Sequence, residues 1–175
     1  MKSLAVLFIA ACAVHAQDST ISRSAANPFS ADARQAYADA KSNILKSAEK
    51  MPEENYGFKP APRVRTFSQI LGHLAEEQYL YCGTAKGERK AADVEKTKTA
   101  KSDLLAALQD AFAYCDTVYA ALTDATAAET VQIGQSRRTR LHILWGNTLH
   151  DTSHYGNLVT YLRIKGIVPP STEGQ

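Results

Sequence analysis

Over residues 139–165 the side chains Leu141, Leu144, Trp145, Thr148, Tyr155, Val159 and Leu162 fall on one arc at helical spacing, and no proline interrupts the run. This predicts a helix of roughly seven turns with a single apolar face. Gly166 suits a left-handed cap at its end, and Pro169 and Pro170 prevent its continuation. A helix that long buries its arc only against other helices, so the rest of the chain has to supply them.

His150 and His154 stand four residues apart on this helix, about one turn apart on the same face, at a margin of the arc. Two imidazoles so placed are a two-point grip for a metal ion. Asp151 points towards the apolar side, where an unpaired carboxylate is costly. It is expected to accept a hydrogen bond, from a ligating imidazole or from a nearby backbone or hydroxyl group. His142 projects about 80° from His150 at 100° per residue and is a poor candidate ligand.

Three further helices are expected. Ala33, Tyr37, Ala40, Ile44, Ala48 and Met51 form one stripe, begun near residues 28–30 and ended by Pro52. After a proline-containing loop, Thr66 and Gln69 form a capping box for a second helix. Its arc is Phe67, Ile70, Leu71, Leu74 and Tyr81, with His73 and Glu77 at the edge. His73 reads either as a third metal ligand or as a half-buried histidine bonded to a neighbour. The lysine-rich stretch 84–100, TAKGERKAADVEKTKTA, is a solvated connection too long for a hairpin between neighbouring helices, so it predicts a crossover returning along the bundle. The third helix carries Leu104, Leu105, Leu108, Phe112, Cys115, Tyr119 and Leu122 on one arc. Arg137, Arg138 and Arg140 precede the last helix, where they oppose its dipole. They read either as solvated and paired with nearby carboxylates or as an anchor for an anionic substrate group.

The first residues, MKSLAVLFIAACAVHAQ, combine Lys2, an apolar run over 4–13 and the small residues Val14 and Ala16. They read as a secretory signal peptide, residues 1–16, cut after Ala16. The competing reading takes Ile9, Ala10, Ala11 and Cys12 as a lipoprotein signal that leaves Cys12 lipidated and the protein anchored. The run is shorter than the roughly 20 residues of a membrane span. Residues 17–29 read as a flexible leader and 30–175 as one domain. Removing Lys2 takes 20 basic residues to 19 against 18 acidic ones, a balance that argues against nucleic-acid binding.

The segments MPEENYGFKPAPRVRTFSQILGHLAEEQYLYC and LHDTSHYGNLVTYLRIKGIVPP together resemble the DinB-like family, related to bacillithiol transferases and mycothiol-dependent isomerases. The resemblance implies an all-α four-helix bundle, up-down-down-up, often dimeric, with a metal held by three histidines. Position by position these are His73, His150 and His154. The long crossover agrees with that topology. The export signal is a departure, since members using low-molecular-weight thiols work in the cytoplasm.

Three neutral imidazoles leave a position open on Zn²⁺ or Ni²⁺, where a water or a thiol would be acidified. Glu77 and Asp151 are candidates to orient the ligand rings. Two functions follow: a metal-dependent hydrolase or group transferase acting on a small molecule, or a non-catalytic metal-binding, stress-related bundle. Cys82 and Cys115 remain after signal cleavage. The parallel second and third helices of the family place them at similar heights, so they form either a disulfide or two buried thiols.

Overall fold

The computed structural model describes residues 26–174, and the signal peptide and the Cys12 alternative lie outside them. Four long helices form the bundle: α1 (Pro28–Lys50), α2 (Phe67–Lys86), α3 (Lys101–Ala120) and α5 (Arg140–Ile164). A short α4 (Asp124–Ala128) and a two-stranded hairpin, β1 (Thr130–Ile133) and β2 (Ser136–Thr139), join α3 to α5.

The helix ends follow local chemistry. Thr66 and Gln69 close the expected capping box at the start of α2. Gly87, at φ 78°, ends α2 and Gly166, at φ 73°, follows α5, both in the left-handed conformation that a residue without Cβ adopts freely. The α2 helix runs on to Lys86, so the crossover is confined to 87–100. The α1 helix has no side-chain cap of its own. Instead the Asp124 carboxylate accepts the Ser30 amide at 2.8 Å and the Phe29 amide at 3.3 Å.

Side-chain contacts fix the directions. Tyr37 packs on Phe112 and Tyr119, and Lys101 reaches the Met51 carbonyl, so α1 and α3 are antiparallel. Gln78 meets Asn147 while Tyr161 bonds the Arg65 carbonyl, so α2 and α5 are antiparallel. The Cys82–Cys115 disulfide, with Cα atoms 5.4 Å apart, joins α2 and α3 at matching heights, as parallel neighbours require. The bundle is up-down-down-up with the long connection between α2 and α3.

The expected stripes of α1, α2 and α3 fill the core, where Ile44, Leu71, Leu74, Leu108, Phe112 and Leu144 are fully buried. Two expectations are corrected. Trp145 is 44% exposed, because Ile143, Leu158 and Tyr161 take the inward face of α5 instead. The segment before α5 is a hairpin turning at Gly134, so Arg137 and Arg138 sit on an exposed strand rather than at a helix start.

Candidate metal centre

His73 comes from the middle of α2, and His150 and His154 from one face of α5 where the antiparallel pair crosses. The Nε2 atoms of His73 and His150 are 3.1 Å apart. The three ring centroids lie 4.5–5.0 Å from one another, and one nitrogen from each falls within 4.8 Å of the other two. A tetrahedral ion at about 2.05 Å from each imidazole would separate its nitrogens by roughly 3.3 Å. The donor set therefore fits a single ion. His150 Nδ1 is buried without a hydrogen-bond partner among the described residues. Burial, with the neighbouring His154, His73 and Arg65 charges, lowers the His150 pKa to about 4. Burial also lowers that of His154, helped by His73 and Arg65 and opposed by Glu95. Neutral rings are the form that binds a metal.

Behind His73 lies a carboxylate that sequence reasoning missed. Glu95 Oε2 stands 3.6 Å from His73 Nδ1, and Glu77 Oε1 stands 4.0 Å from the same atom. Glu95 belongs to the crossover, which lies directly on α2 because Gly72 is bare. A Cβ on Gly72 would come within 2.6 Å of the Glu95 Cα. Arg65 holds the Glu95 carboxylate from the far side at 2.9 and 3.4 Å, and the Glu95 amide donates to Glu76 at 2.7 Å. A glycine next to a histidine inside a helix was the available signal for this close approach.

Asp151 is fully buried and makes no bond to a histidine among the described residues. Its Oδ1 accepts from the Gln78 amide at 2.7 Å, and Gln78 in turn accepts from Asn147 at 2.9 Å. Burial drives the Asp151 carboxyl far above the usual carboxylate range, against the Gln78 hydrogen bond and with Glu77 adding to the rise. Orientation of a ligand ring by Asp151 is therefore corrected: it braces α5 against α2. His142 is exposed and stands apart from the cluster.

The arginine triplet takes the first of its two readings, exposed to solvent and paired with nearby groups. Arg137 bonds Thr130 on the adjacent strand and Arg140 pairs with Glu129. Arg140 is ten residues from His150, about 15 Å along the helix. Arg65 acts on the His150 and His154 rings, and with Arg63 it lines a cavity of about 370 Å³ shared with His154, Asn157 and Tyr161. A larger cleft of about 480 Å³ runs between α1 and α3, away from the histidines. Among the described residues no helix is long and apolar enough to cross a membrane.

The fold is shared with solved structures of low sequence identity. A DinB-like protein from Bacillus cereus matches with TM-score 0.69 at 13% identity, covering 79% of this chain and 93% of that one. A DinB-like protein from Bacillus subtilis matches with TM-score 0.64 at 20% identity, covering 77% and 92%. A mycothiol-dependent maleylpyruvate isomerase matches with TM-score 0.60 at 13% identity, covering 74% of this chain and 60% of the isomerase. No curated protein matches the chain. The family model of the DinB superfamily matches residues 36–158, and with that span covering most of the bundle and His73, His150 and His154, the chain belongs to the DinB superfamily.

Proposed function

We propose that the chain is an exported metal-dependent hydrolase or group transferase acting on a small molecule, with Zn²⁺ or Ni²⁺ held by His73, His150 and His154. The observation carrying this reading is the convergence of three imidazoles, two of them with Nε2 atoms 3.1 Å apart, of which His154 also lines a cavity. The bound ion would supply Lewis-acid polarisation of a substrate oxygen and a lowered pKa for a water or thiol that reaches it.

The chain's own residues prepare that position. Glu95 and Glu77 face His73 Nδ1, which favours the proton there and leaves the Nε2 lone pair turned towards His150. Arg65 keeps Glu95 in place, and the Tyr161 hydroxyl holds the Arg65 carbonyl at 2.6 Å, tying the loop to α5. Ile70 and the Tyr161 ring give the cavity an apolar wall. The disulfide supports export, because such bridges persist in oxidising compartments.

Elemental analysis of the purified chain is expected to find close to one equivalent of zinc or nickel. His150→Ala should remove it while the helical circular dichroism is kept. Full metal retention in that variant would overturn the assignment. Hydrolysis of a panel of small esters and amides should be lost with a chelator and restored with zinc. Metal binding without any such turnover would leave a binding bundle in place of an enzyme.

A further inference from the structure

We infer that the cavity beside the histidines recognises a small-molecule carboxylate through Arg63, an inference that rests on the metal reading above and adds a substrate class to it. The two guanidinium groups lining the cavity are not equivalent. Arg65 is engaged in a two-point pair with Glu95. Arg63 has no hydrogen-bond or ion-pair partner among the described residues, yet it lines the same cavity. No carboxylate is among the lining residues, and the nearby Glu95 is already held by Arg65 and turned to His73. A divalent ion held by the histidines would add positive charge to that of Arg63, so a ligand reaching both is anionic.

The geometry of the donor narrows the anion. A guanidinium presents a planar fork that matches a carboxylate with two parallel hydrogen bonds. Asn157 and Thr160, three residues apart on α5, line the same wall, the Asn157 amide 3.4 Å from His154 Nδ1 with its second N–H left over, and the Thr160 hydroxyl donating to the Gly156 carbonyl at 3.3 Å. Pro60, Val64, Ile70 and the Tyr161 ring supply apolar surface between the charged groups, which suits a short hydrocarbon stem. At about 370 Å³ the space lies near the small end of ligand cavities, so the occupant is a metabolite-sized acid rather than a peptide.

The test uses glutarate, which carries carboxylates at both ends of a short methylene stem, and glutaramide, its neutral counterpart. Each is titrated calorimetrically into the chain loaded with zinc and into the chelator-stripped chain, with metal content measured on the same samples. Glutarate is expected to bind saturably and glutaramide not to bind over the same range. Arg63→Ala should weaken glutarate by about tenfold or more in both samples, the scale of a lost charge-assisted pair. Arg63→Lys should recover part of the loss. Arg63 is an exposed loop residue, so its variants should keep the circular dichroism of the parent. Unchanged glutarate affinity in Arg63→Ala, or equal binding of glutaramide, would overturn the inference. Tighter, Arg63-dependent binding of inorganic phosphate would overturn the carboxylate assignment. If Arg63-dependent binding persists in a chain that takes up no metal, the metal reading fails and the anion site stands.

Discussion

Gly72 shows how much of the candidate centre hangs on one absent side chain. A Cβ there would meet backbone, the Glu95 Cα at 2.6 Å and the Glu95 nitrogen at 2.8 Å, and neither can rotate away. Gly72→Ala should therefore destabilise by about 1–3 kcal/mol, as overpacking does, and lift Glu95 from His73. The control is Gly156→Ala, where nothing lies within 4 Å and the helix should gain roughly 0.5–1 kcal/mol from the better helix former. Urea unfolding of both variants, with zinc affinity measured by chelator competition, separates the two. Equal stability in both would mean that the crossover is not seated on α2. His73, His150 and His154 were legible as residues because helical spacing and edge positions can be read directly. Glu95 was not, because it lies in an irregular segment, and its approach to His73 depends on a contact 22 residues back along the chain. Arg65 escaped for the same reason, being placed by Tyr161 and Glu95 rather than by any local repeat.

Among the elements, α1 begins under a cap borrowed from α4. Burial works against the Asp124 charge, but the Ser30 and Phe29 hydrogen bonds and the Arg34 charge outweigh it, so its carboxyl titrates below the ordinary range. A depressed acid contributes its stability above the unfolded pKa of about 3.9 and loses it as pH falls through the folded value. Asp124→Asn should melt at a lower temperature than the parent near neutrality, and the gap should close below about pH 4. A gap that stays constant down to pH 2.5 would show that the charge is not what caps α1. The helices themselves were readable because periodicity, a capping box and the terminal Gly166 agree with one another. The hairpin was not, since its strands are only four residues each and their exposed pattern gives no buried alternation to detect. Reading Arg137 and Arg138 as the approach to a helix followed directly from that miss.

For the whole molecule, the length of the connection after α2 pointed to a crossover returning along the bundle, and the family resemblance implied the parallel α2 and α3 that put Cys82 level with Cys115. Spacing does not decide between a bridge and two buried thiols; in the fold both cysteines are fully buried and bonded to each other. Replacing both with serine should lower stability by about 2–4 kcal/mol in urea unfolding, and no loss would mean that the bridge constrains little. The bridge also turns 82–115 into a covalent ring that contains the whole crossover and Glu95. Arg89 and Lys90 are exposed within it, so trypsin can open the ring there without dividing the molecule. A nicked chain should run as one band without reductant and as two fragments with it, still carrying Glu95 on a strap anchored at one end only.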